Sequence, residues 1–284
     1  MSEAEAAGKA SGAQSGGTWG STLTCQELAA VTSAGFSPVG QVFGAAVYAA
    51  GSASVAGCPG VQVPGQSDPG TFVPLVEAMY QARRVALDRM TAECAALGGH
   101  GVAGVRLSRE PFPLGGLAFT AIGTAVRARG AAIRPQVPFG CDLSGQDFAR
   151  LIAAGWVPVG LAFGIAIGAR HDDQVTVRQA RLWSGNAEMA GWTELVNRSR
   201  REARSRLEED IKRLGAEGVV TAGMEMRVRQ RDCPVATGRH DHIVEVTFTG
   251  TAIARFSAAG HANAGPALTV MPLGPRRRQG VMVP

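Results

Sequence analysis

The most suggestive chemistry in this chain lies where Cys233 precedes His240-Asp-His242 by seven residues. On an extended segment a His-x-His pair points both imidazoles to one face, because side chains alternate with a period of two. A thiolate folding back from upstream would complete three donors of the softness that zinc, copper or nickel accepts. Cys233, His240 and His242 are therefore the candidate metal ligands. Arg231 and Arg239 oppose a bound cation, and the corresponding stretch of the first half, Pro111 to Gly116, has nothing equivalent. His171-Asp172-Asp173 also carries nitrogen and oxygen donors but reads as a solvated turn. His100 reads as an exposed position at a helix end, and His261 belongs to the C-terminal tail.

Catalytic motifs are missing. The phosphate-binding Gly-x-x-x-x-Gly-Lys-Ser/Thr, Gly-x-Ser-x-Gly and His-Glu-x-x-His do not occur. No catalytic residue is assigned, and no cofactor is expected beyond the candidate metal. A polyanion is the remaining class of partner, resting on Arg198 to Arg206 and on Arg276-Arg277-Arg278 in the tail. Aromatic residues make up 6% of the chain and do not interleave with these arginines, and glutamates compensate the first group. Nucleic acid is thus disfavoured, while a basic tail can still tether an acidic protein partner.

The 284 residues suffice for two ordinary domains, and 45% hydrophobic content gives each a core. The longest apolar stretches, such as Val157 to Ala169, are Gly-punctuated and shorter than the roughly 20 residues that cross a bilayer. The first 20 residues lack the basic and apolar regions of a secretory signal, so a cytoplasmic protein is expected. Cys25, Cys58, Cys94, Cys141 and Cys233 are scattered and never form a CxxC pair, which reads as reduced thiols.

The elements that must position these residues occur twice. Gly35-Phe-Ser-Pro-Val-Gly-Gln-Val-Phe-Gly44 aligns with Gly155-Trp-Val-Pro-Val-Gly-Leu-Ala-Phe-Gly164, with six of ten positions identical. Leu23 to Ala29 matches Leu143 to Ala149, Leu97 to Val102 matches Leu214 to Val219, and Gly123 to Val126 matches Gly250 to Ile253. The blocks keep their order while the offset drifts from 120 to 117 to 127, so length differences fall between blocks.

Gln26 to Ala34 and Gln146 to Ala154 are expected as short helices, capped by Thr24 and Ser144 and ended by Gly35 and Gly155. Pro-Val-Gly-x-x-Phe-Gly reads as a strand whose glycines admit a close backbone neighbour. Leu75, Met79, Ala82, Ala86, Met90 and Leu97 form the apolar stripe of a long helix. Its counterpart, from about Thr193 to Leu214, is crowded with arginines and carboxylates and should be more solvated. Two antiparallel strands close each copy, Val102 to Leu107 with Leu117 to Val126, and Val219 to Val228 with Ile243 to Ala254. The fold class is α/β of the α+β kind: two tandem copies of a small antiparallel sheet with a long packed helix. The division is a disordered leader (1–20), copy one (21–130), a linker (131–140), copy two (141–256) and a flexible basic tail (257–284).

Leu-Ser-Gly-Gln-Asp-Phe (143–148), Gly-Trp-Val-Pro-Val-Gly-Leu (155–161), Trp-Ser-Gly-Asn-Ala-Glu-Met (183–189), Leu-Gly-Ala-Glu-Gly-Val-Val (214–220) and Gly-Thr-Ala-Ile (250–253) together resemble the YbjQ-like family of small bacterial proteins, labelled heavy-metal-binding. Copy one resembles it more loosely and departs from it between Gly51 and Gly70. The resemblance implies an α/β module that assembles into rings, commonly pentamers, and it supplies no catalytic residues. The resulting expectation is a non-enzymatic, ring-forming cytoplasmic scaffold. A heavy-metal-binding or metal-responsive protein is the alternative, and polyanion or partner binding through the tail is a second. Five chains in two stacked rings, a pentamer, are favoured over a trimer of chains in one ring of six modules.

Overall fold

Each half of the chain opens on a capped short helix. The first, Cys25–Ser33 (α1), starts at Thr24, whose hydroxyl accepts from the Glu27 N–H while the Glu27 carboxylate accepts from the Thr24 N–H. Two otherwise unpaired helix donors are thereby satisfied. The second, Gly145–Ala153 (α3), starts at Ser144, which accepts from the Asp147 N–H. Gly35 and Gly155 follow at φ 89° and 80°, the left-handed turn that a helix-ending glycine provides. The computed structural model describes residues 19–49, 72–113, 116–130, 137–179, 185–186, 188–233, 238 and 240–255. The leader up to residue 18, most of the linker (131–136), Cys58, Arg239 and the tail from residue 256 lie outside the described residues.

Copy one continues with strand β1 (Phe36–Ala49), helix α2 (Val73–Ala96) and strands β2 (Gly101–Phe112) and β3 (Gly116–Ala128). A two-residue strand, β4 (Phe139–Gly140), precedes α3. Copy two then has β5 (Trp156–His171), a short inserted helix α4 (Gln174–Gln179), the long α5 (Ala190–Arg213), β6 (Gly218–Asp232) and β7 (His240–Arg255). The sheets run β1-β3-β2-β4 and β5-β7-β6, antiparallel throughout except where β4 joins β2 in parallel.

The duplication extends to register. Arg106 pairs with Ile122 as Gly223 pairs with Thr249, and both first strands are offset between Pro38 and Gly40 or Pro158 and Gly160. Helix and strand meet at the same glycine: a Cβ on Gly44 would lie 1.9 Å from the Ala86 carbonyl oxygen, and one on Gly164 would lie 2.0 Å from that of Ala203. Even the contacts across the free strand edge repeat. Glu93 accepts from the Phe43 N–H at 2.7 Å, as Asp210 does from the Phe163 N–H at 3.0 Å. Arg89 donates to the Ala45 carbonyl, as Arg206 does to that of Ile165. These side chains satisfy backbone groups that a neighbouring strand would otherwise take.

The layers alternate: sheet one, α2, sheet two, α5. Helix α2 packs on β1 and β3 with one side and on β5 with the other, whereas α5 packs on β5 and β7 only from beyond. Met79, Ala82 and Met90 therefore share one core with Val42 and Phe119 of their own copy and with Leu161, Phe163, Ile165 and Ile167 of the other. That explains why the sequence from Leu161 to Ala169 is almost uninterruptedly apolar, since β5 is buried on both faces. A second cluster, Val31, Leu143, Phe148 and Leu151, locks α1 against α3, with the Phe36 and Phe148 rings 5.0 Å apart.

Three expectations change. The closing strands are longer than their apolar patterns indicate, so His240-Asp-His242 is already part of β7. His100 is 7% exposed, its Nδ1 accepting from the Ala128 N–H at 3.3 Å, because the chain folds beneath it into β3. Asp172 is likewise buried and not part of a solvated turn. Among the described residues no helix is long and apolar enough to cross a membrane.

Candidate functional site

The β5-β7-β6 sheet ends in a cluster of polar side chains set by strand register. Asp241 on β7 lies opposite His171 on β5 and Arg231 on β6. Its carboxylate is 0% exposed and bonds both neighbours, His171 Nδ1 at 2.9 Å and Arg231 at 3.0 Å. Cys233, just beyond the end of β6, is buried beside them. One donor atom from each of His171, Cys233 and Asp241 lies within 4.8 Å of the others.

Of the residues expected as ligands, Cys233 joins this set, whereas His240 and His242 project from the opposite face of β7. The residue skipped in His-x-His is the one that meets the thiol. His242 instead brings Nε2 to 2.9 Å from Asp172, with its ring 4.4 Å from that of Trp192. His240 pairs with Asp232 at 3.1 Å, near solvent. Asp173 caps α4 through the Thr176 N–H and pairs with Arg170, and these bonds hold its carboxyl down to about 2.

An imidazole, a thiol and a carboxylate at this spacing fit a borderline-soft divalent cation with an open fourth position. Arg231 lowers the affinity by occupying one Asp241 oxygen, so the donor set fits such an ion in type but is not preorganised for it. A cavity of about 460 Å³ at the boundary between the copies is a weaker candidate. Arg83, Arg109 and Arg227 approach it, but Glu110 and Glu225 line it as well and Glu245 holds Arg109, leaving no excess charge to select an ion.

The sequence matches a family described as "Putative heavy-metal-binding" over residues 66–129 and 158–255, one segment in each copy. It is also 35% identical over 243 residues, spanning 83% of this chain and 85% of the relative, to the encapsulin nanocompartment protein Rv1762c of Mycobacterium tuberculosis. The chain belongs to the YbjQ-like family, as a tandem duplication of its domain.

Proposed function

We propose that this protein is a non-enzymatic, self-assembling scaffold component of the cytoplasm whose tandem domains close into a ring. The supporting observation is β6, where every residue from Thr221 to Gln230 is exposed. At the corresponding positions of copy one, Gly104 to Pro113, Val105 is buried and Gly104, Leu107 and Arg109 are half-buried. An uncovered edge carrying Met224, Met226 and Val228 at 51%, 45% and 57% exposure is a surface that subunit contact buries. The nanocompartment name of the relative supports an assembly role. Because α2 already packs against copy two of its own chain, neighbouring modules alternate. That favours an even-numbered ring of three chains over two stacked rings of five. Native mass spectrometry tests the reading: three masses of 29.3 kDa support the alternating ring, five support stacked rings, and a concentration-independent monomer overturns assembly.

The convergence of His171, Cys233 and Asp241 favours a second reading, that the chain binds a transition metal at this sheet end. Stoichiometric zinc, copper or nickel in untagged protein would support it, and metal-free protein after equilibration with each ion would remove it.

A further inference from the structure

We propose that successive chains join head to tail by repeating, between copy two of one chain and copy one of the next, the contact that holds copy one to copy two within a chain. The proposal rests on the assembly reading and names the surfaces that carry it.

Within the chain, α2 covers a face of β5 on which Phe163 and Ile167 are 4% and 1% exposed. Their counterparts in copy one, Phe43 and Val47, are 49% and 52% exposed on the same face of β1. Burying such a pair in one copy and baring it in the other leaves an apolar surface shaped for a helix. The counterpart of α2 is α5, whose outer side, with Asn197, Arg200 and Arg204 exposed, is uncovered among the described residues.

The polar contacts transfer as well. The Tyr80 hydroxyl bonds the Phe163 carbonyl and the Ile165 N–H. Position 80 corresponds to Asn197, exposed on α5, and the strand groups correspond to the Phe43 carbonyl and the Ala45 N–H. A side-chain amide carries the donor and the acceptor both bonds need. Strand β4 pairs Phe139 and Gly140 with Gly101 and Val102, and the Cys141 N–H donates to Val102 at 2.9 Å. The equivalent segment of the next chain is Trp19-Gly20, with Trp19 51% exposed, and its equivalent partner is the open start of β6 at Gly218 and Val219.

One pair changes character on both sides together. Arg109 forms a buried ion pair with Glu245 inside the chain. Position 109 corresponds to Met226, and position 245 to Ala118. An unmatched change would bury a lone charge, whereas this matched one keeps the contact complementary. At one point the repeat must loosen. A Cβ on Gly145 would stand 2.6 Å from that of Glu27, and copy one has Cys25 in the place of Gly145. Helix α1 of the next chain therefore sits about 1 Å farther out, which brings Cys25 to disulfide range, a Cβ separation of about 3.8 Å, from position 147.

Two experiments on the full chain decide it. Mild oxidation of Asp147→Cys should cross-link position 147 to Cys25 of another chain, giving a ladder on non-reducing gels that Cys25→Ser abolishes. Met226→Glu should weaken self-association at least about tenfold, because the carboxylate is buried unpaired. Ala118→Arg in the same chain should restore it by rebuilding the ion pair with its ends exchanged. A chain that assembles but cross-links elsewhere, or is unaffected by Met226→Glu, overturns this interface while sparing the assembly reading. A monomeric unmodified chain overturns both.

Discussion

The Tyr80 hydroxyl of copy one accepts from the Ile165 N–H of copy two at 2.9 Å and donates to the Phe163 carbonyl at 3.3 Å. One phenol thus satisfies two groups on the free edge of β5. Burial raises its pKa above 10, so it stays neutral and can both donate and accept. Tyr80→Phe should cost about 1–3 kcal/mol, the usual consequence of leaving buried backbone groups unpaired. Since the folded pKa is raised, the hydroxyl's contribution is complete below pH 10 and lost as pH rises through the folded value. Urea denaturation at neutral and alkaline pH checks both parts; an unchanged midpoint at pH 7 would show that the bond does not hold the copies together.

Metal dependence separates the two sets of candidate ligands. With His171, Cys233 and Asp241 as donors, His171→Ala and Cys233→Ala should each abolish zinc binding by calorimetry, while His240→Ala should leave it within about twofold. Loss of binding in His240→Ala with retention in His171→Ala would restore the His-x-His site.

Asp142 should make the fold more stable in acid than at neutral pH. It is mostly buried, Oδ1 accepts from Thr251 and Oδ2 has no hydrogen-bond partner among the described residues. Burial raises its pKa above 3.8, so its contribution is present below 3.8 and lost as pH rises through the folded value. Copy one has a neutral hydroxyl here, Thr22, whose N–H donates to Thr124 as that of Asp142 does to Thr251. Asp142→Asn should raise the melting temperature at pH 7, with the gain vanishing near pH 3; an equal gain at both would implicate packing and not charge.

The duplication was legible because Gly35 to Gly44 and Gly155 to Gly164 keep six identities, three of them glycines, of which the turn requires Gly35 and Gly155 and the helix–strand approach requires Gly44 and Gly164. The layering was half legible: the apolar run in β5 records burial on both faces, but nothing local says that the second cover is α2. The donor set was not legible. His171 and Asp241 stand 70 positions apart, joined by the register of β5 on β7, and alternation sends His240 and His242 away from Cys233. Spacing along the chain pointed to one member of this cluster, Cys233, because the others are set by pairing across strands.

Two glycines four positions apart on β5 should respond very differently to one methyl group. At Gly164 the new Cβ would stand 2.0 Å from the Ala203 carbonyl oxygen, a backbone atom held inside α5. Relief requires the whole helix to lift from the sheet, so Gly164→Ala should cost about 3 kcal/mol or more. At Gly160 the nearest atom is a terminal methyl of Leu214 at 3.5 Å, an ordinary contact. Gly160→Ala should therefore cost under about 1 kcal/mol, with the lower chain entropy of alanine in the unfolded state offsetting part of it. Gly44→Ala should reproduce the larger loss in copy one, where the Ala86 carbonyl oxygen stands at 1.9 Å. Chemical denaturation of the three variants measures the contrast, and equal stability of Gly160→Ala and Gly164→Ala would refute the close approach of α5 to β5.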